Sequence, residues 1–187
     1  MRDADGVRHG QKESARWIGG YERVAEMAAN MPDTRLVYVA DREADLMAMM
    51  RRARELDTPV YWLVRAKHNF RLPSGEGDKL WAYTSAGAAL GEITFMLAAR
   101  DTQKARTLRQ QLWTRTVEIS DGKAGRITIT CVVAHKIGAT KNGKPIEWRL
   151  LTNRPASTLE QAIELIDWYR AWWEIEIYQP YNLLKIH

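Results

Sequence analysis

From Arg35 to Ala40 the chain reads Arg-Leu-Val-Tyr-Val-Ala, and this run constrains the fold more than any other feature. It is short and almost continuously apolar, the signature of a strand covered on both faces rather than of one with a wet side. Before it, residues 13–30 place Trp17, Ile18, Tyr21, Val24, Ala25 and Ala28 at the spacing of an amphipathic helix, which Pro32 and Asp33 stop. After it, Asp41-Arg42-Glu43-Ala44-Asp45 ends the strand and opens a helix running to about Leu56. Pro59 then leads into a second strand, Val60-Tyr61-Trp62-Leu63-Val64. Helix, strand, helix, strand at this spacing predicts an α/β unit whose strands pair in parallel.

From about Pro73 to Asn153 the pattern changes. Runs such as 92–97, 113–119 and 126–133 alternate in polarity, with Gly122, Gly125, Gly138 and Gly143 in the intervening loops, so this region predicts an antiparallel β-rich insertion. Past Pro155, Ser157 as N-cap with Glu160 three residues on predicts a helix of about twenty residues, whose face includes Leu159, Ile163, Ile166, Tyr169 and Trp173. The expected organisation is one domain over 1–187, an α/β core at 12–70 and 156–178 interrupted by the insertion at 71–155.

Composition narrows the class. With 187 residues, 45% hydrophobic and 27% charged, the chain supports one core and is far from the profile of disorder. No apolar stretch approaches the roughly 20 residues that span a bilayer, and Met1–Asp5 carries no apolar leader, so the expectation is a cytoplasmic protein with no membrane partner. The lone Cys131 cannot form an internal disulfide and reads as a buried, inert thiol. His9, His68, His135 and His187 lack metal-ligand spacing, which argues against zinc. A net charge of +5 favours polyanionic partners without naming one.

Two acidic residues carry candidate chemistry. Asp41 follows the first strand directly, at the carboxyl edge where ligands and metals gather in α/β sheets. The same position also suits an N-cap of the next helix. Glu176, on the last helix, shares one face with Tyr169 and Trp172 at i, i+3 and i+7. A helical Glu is ordinarily a solvated charge. It gains interest beside Asp41, because two-metal phosphodiester chemistry needs carboxylates converging from distant segments.

Val39-Ala40-Asp41-Arg42-Glu43-Ala44-Asp45, then Leu150-Leu151-Thr152-Asn153, then Tyr169-Arg170-Ala171-Trp172-Trp173-Glu174-Ile175-Glu176 resembles the IS-four type of DDE transposase, a family of bacterial insertion sequences. The resemblance runs from about Lys12 to Glu176. It implies a ribonuclease-H-like α/β core, incomplete here, with Asp41 as the second metal-binding aspartate and Glu176 as the metal-binding glutamate for Mg2+ or Mn2+. It further implies DNA contacts at transposon ends by Tyr169, by the basic pair Arg65 and Lys67, and by Trp148 stacking on a flipped base. From the residues alone, Arg65 and Lys67 read as a solvated strand end and Trp148 as packing. If the assignment holds, the carboxyl groups of Asp41 and Glu176 lie within roughly 4 to 8 Å, close enough to share an ion or an ion pair.

The chain also departs from the pattern. Where the family's signature has arginine the chain has Trp172, and Arg170 points about 160° away around a helix. Leu183 stands at the signature's lysine, Lys185 comes two residues late, and Pro180 interrupts the helix. From Gln179 the tail follows no family pattern, as a frameshift or early stop would produce. The first aspartate belongs to an upstream strand, and Asp3 and Asp5 have no strand before them. The expectation is a transposase fragment, truncated at its start, with impaired cleavage. It would form a homodimer or pair with a full-length transposase. The alternatives are a non-catalytic remnant that binds DNA or a transposase as an inhibitor, and an unrelated metal-dependent phosphoesterase.

Overall fold

The structure is a computed structural model that describes residues 9–41, 46–73, 79–97, 104–123, 125–138 and 147–178, with side chains described from Ala15 to Trp172 apart from Leu46. Its elements in chain order are α1 (His9–Ala29), β1 (Val37–Ala40), α2 (Leu46–Leu56), β2 (Tyr61–Arg65), α3 (Leu80–Ser85), β3 (Gly91–Leu97), β4 (Arg106–Ser120), β5 (Arg126–Lys136), β6 (Glu147–Thr152) and α4 (Leu159–Tyr178). The six strands form one sheet in the order β1-β2-β6-β5-β4-β3. β1 and β2 pair in parallel, Val37 opposite Tyr61 through Ala40 opposite Val64, as the helix–strand alternation predicts. Every other neighbouring pair is antiparallel. The molecule is thus mixed α/β.

Side chains alternate across the sheet and divide the core into two layers. On one face Trp62, Val64, Leu151, Cys131 and Val133 pack against Tyr21 and Ala25 of α1, Met49 and Met50 of α2 and Leu80 of α3. On the other, Leu63, Leu150, Val132 and Leu112 pack against Ala162, Leu165, Ile166 and Tyr169 of α4. Each large side chain fully withdrawn from water contributes about 1.5–3 kcal/mol, so both layers matter to stability. Helix α1 comes close to β1 because residue 20 is glycine: a Cβ there would stand 2.7 Å from the Tyr38 hydroxyl. Trp17 and Tyr21 meet the Tyr38 ring edge-on at 6.3 and 6.0 Å. Burial among them pushes the Tyr38 phenol up to about 12.

The structure differs from expectation at two places. The stretch read as β-rich also contains a short helix, α3, where Leu80 and Thr84 are buried one turn apart and Thr84 Oγ1 donates to the Leu80 carbonyl at 2.8 Å. Six residues among Gly and Ser neighbours are too few to show a period in the sequence. Helix α4 starts one residue later than the Ser157 cap implies. Thr158 Oγ1 accepts from the Gln161 amide at 3.3 Å, and Gln161 Oε1 accepts from the Thr158 amide at 3.3 Å, a capping box of Thr158 and Gln161. No helix among the described residues is long and apolar enough to cross a membrane.

Candidate functional site

β1 lies at the edge of the sheet beside β2, and Asp41 is the first polar residue past its apolar run. Ala40 is level with Val64, so Asp41 comes level with Arg65 at the carboxyl end of the parallel pair. Val37 and Val39 face the α4 layer, whereas Ala40 faces the other. The alternation of a strand carries Asp41 to the α4 side. Asp41 is half-buried there.

Two sets of contacts set the direction of α4. Near the start of β1, Glu164 bonds Arg35 at 2.9 Å and Arg154 at 2.5 Å. Arg154 first, then Arg35, holds the Glu164 carboxyl below its ordinary range. Trp168 stacks on Tyr61, the first residue of β2, at 6.4 Å. Near the other end of β2, Arg65 Nη1 donates to the Tyr169 hydroxyl at 3.3 Å. The helix therefore ascends from the start of the parallel strands to their carboxyl ends. Seven residues further, Glu176 lies about 10 Å along the axis from Tyr169, on the same helical face. The side chain of Glu176 falls outside the described residues, and with it the separation from Asp41.

Tyr169 is fully buried and belongs to an aromatic cluster. Its ring meets Trp148 edge-on at 5.4 Å and stacks on Trp172 at 5.8 Å, while Trp148 stacks on Phe95 at 5.5 Å. Trp148 is 3% exposed. As packed, neither Trp148 nor Tyr169 offers a ring face to a nucleotide base; a base would enter only where the cluster opens. Arg170 covers the Phe95 ring at 4.1 Å and pairs with Asp167 at 2.9 Å.

Of the candidate residues, the fold joins Arg65, Tyr169 and Trp148 through direct contacts and brings Asp41 level with Arg65. Lys67, two residues past β2, is exposed. Among the described residues no group of three His, Cys, Asp or Glu side chains is arranged to hold a metal.

Several contributors escape a reading of the sequence. Phe95 completes the aromatic cluster, and its only signal is its place on the inward face of alternating β3. Arg71 and Lys79 face each other across an isolated antiparallel bridge. Asn153 accepts from the Trp62 amide at 2.9 Å and donates to the Val60 carbonyl at 3.1 Å, clasping the start of β2 where β6 leaves it. No protein-family model matches the chain.

Proposed function

We propose that the chain is a catalytic-domain portion of a DDE transposase of the IS-four type, acting in cut-and-paste DNA transposition on a ribonuclease-H-like core. One arrangement carries the reading. A parallel strand ends in Asp41, and a helix bearing Glu176 on its Tyr169 face climbs the same side of the sheet toward that end. The residue motifs of the resemblance and a mixed sheet with helices on both faces support it further.

Asp41 offers carboxylate oxygen, the donor that hard divalent cations prefer. With Glu176 it would hold Mg2+ or Mn2+, and a bound pair of ions supplies Lewis-acid activation of water and of a 3′-hydroxyl for attack on phosphate. Arg65, bonded to Tyr169, fixes the height of α4 against β2 and so the position of Glu176 relative to Asp41. A third carboxylate would reach the site on a strand laid beside β1, opposite β2, because such a strand ends next to Asp41. Transposon-end DNA is the substrate, and a second transposase chain is the partner.

The second reading, a non-catalytic DNA-binding remnant, draws on Trp172. At the position of the signature's arginine this ring is stacked on Tyr169, so that turn of α4 contributes no cation to a phosphate. Titration with Mn2+ and incubation with end-bearing duplex separate the two. The transposase reading expects metal binding that Asp41→Ala and Glu176→Gln each abolish, with no nicking by this chain alone. Metal-dependent nicking that Asp41→Ala removes would still uphold it. Metal-independent DNA binding, with metal affinity untouched in both variants, would sink it in favour of the remnant.

A further inference from the structure

The two edges of the sheet are unlike. β3, at one edge, alternates: Glu92, Thr94 and Met96 are exposed, whereas Ile93 and Phe95 are buried. β1, at the other, has no charged residue and no proline, and among the described residues no strand lies beside it on the side away from β2. Val37 and Val39 belong to the α4 layer, and Leu36, Tyr38 and Ala40 to the opposite one, so both faces of this edge carry apolar or aromatic side chains. Edge strands are ordinarily guarded by charge or proline, because their free amides and carbonyls template pairing with another strand.

The backbone limits which strand fits. The Tyr61 amide donates to the Leu36 carbonyl at 3.0 Å, so Leu36 turns its backbone groups toward β2, and by alternation so do Tyr38 and Ala40. Val37 and Val39 therefore turn theirs away from the sheet, and the same alternation carried past the strand does so for Arg35 and Asp41. A second copy of β1, laid antiparallel about a two-fold axis at Tyr38, sets Val37 opposite Val39 and Arg35 opposite Asp41, in both directions. Each pair joins two outward-facing residues, as the hydrogen-bonded pairs of an antiparallel ladder require. Like faces also stay together, since Val37, Val39 and the Glu164-bonded Arg35 all lie on the α4 side. An axis at Val37 would set Asp41 opposite Asp33, and an axis at Val39 would set it against Val37. An axis between residues would pair outward-facing groups with inward-facing ones. Only the axis at Tyr38 matches charge as well as backbone.

We propose that two copies of this chain associate through β1, extending the sheet across an antiparallel, isologous β1 pair with Tyr38 on the two-fold. That self-complementarity selects a second copy as the occupant of the edge. In the transposase reading a third carboxylate would reach Asp41 along the same edge, where the pair instead brings Arg35 of the other copy. Dimer and completed metal site therefore compete for Asp41, a consequence that rests on that reading, whereas the interface does not.

Light scattering over a concentration series tests it, with Val39→Pro as the first variant. Proline there removes an amide that faces away from β2, a position that an edge strand tolerates. Wild type should dimerise and Val39→Pro should remain a monomer with wild-type circular dichroism. Arg35→Glu and Asp41→Lys should each raise the dimer dissociation constant roughly 2- to 30-fold through two symmetry-related pairs, and the double variant, its charges exchanged, should recover most of that. Cross-linking reads the register. Because Cys131 is buried, a cysteine introduced as Tyr38→Cys should join only to its counterpart, and faster than Val37→Cys or Val39→Cys. Monomeric wild type at every concentration, a dimer indifferent to Val39→Pro and to the charge variants, or fastest cross-linking through residue 37 or 39 overturns the proposal. Mn2+ titration separates the two readings. Tighter binding by Val39→Pro than by wild type supports both, whereas a dimer that Val39→Pro dissolves, with metal bound by neither form, upholds the β1 pair and removes the transposase reading.

Discussion

Asp121 shows how a single side chain ties distant segments together. It is 3% exposed in the turn between β4 and β5, where its carboxylate accepts the Lys123 amide at 2.8 Å, the Gly125 amide at 3.1 Å and Arg54 at 3.1 Å. The Lys123 amide, then Arg54 and the Gly125 amide, hold its carboxyl below the ordinary range. Arg51 and Arg54 also donate to the Asp121 and Arg126 carbonyls, each at 2.6 Å, so α2 is pinned to the hairpin. A carboxyl lowered on folding stabilises above its unfolded value, near 3.9. That contribution is lost as pH falls through the lower folded value. Asp121→Asn should therefore flatten the fall of Tm below about pH 4 relative to wild type; parallel curves would refute this. Cys131 makes the opposite case. Full burial pushes its thiol up to about 12, so the native protein at pH 8 should ignore a thiol-disulfide reagent and label only at the rate of unfolding. Fast stoichiometric labelling of folded protein would contradict that.

At the scale of elements, the docking of α4 onto the far side of the sheet depends on what is missing at residue 91. A Cβ on Gly91, the first residue of β3, would lie 2.5 Å from Leu159 Cδ2 and 3.0 Å from Cδ1. Leu159 opens α4, so a side chain at residue 91 would have to displace the Leu159 methyl groups that cover the strand there. Gly91→Ala is expected to cost about 1–3 kcal/mol, as overpacking usually does. Leu159→Ala in the same chain should recover most of that, giving a coupling well above the few tenths seen for independent sites. Denaturant melts of the two single variants and the double variant decide it, and additive losses would show that the two residues do not meet.

Across the whole molecule, one sheet passes through both the parallel unit and the β-rich region. β6 is the hinge of that continuity, pairing with β2 on one side and with β5 on the other. Unfolding should accordingly be a single transition, with far-UV circular dichroism and tryptophan fluorescence coincident along a denaturant series. Asn153→Ala, which leaves the Trp62 amide and Val60 carbonyl without their clasp, should shift both probes together by about 1–3 kcal/mol. Two separated transitions would show that the β-rich region folds on its own.

What the sequence by itself determined is local. The apolar run ending in Ala40 demanded a strand, though the structure sets it half-buried at the sheet's edge rather than covered throughout; the spacing from Trp17 to Ala28 demanded an amphipathic helix, and Pro155 followed by a cap demanded a long last helix. Each is a matter of period and side-chain chemistry within a dozen residues. The strands of the β-rich region were legible too, though α3 was not. Asp41 could be located at a strand end from sequence, but its neighbours could not. Only the tertiary structure decided that Arg65 bonds Tyr169 across 104 residues, that Trp148 and Phe95 share one cluster, and that Asn153 clasps β2 across 91 and 93 residues. These pairings follow from which strand lies beside which and at what register. A one-residue slip would turn every side chain of a strand to the opposite face, and that choice is made by the packed core as a whole.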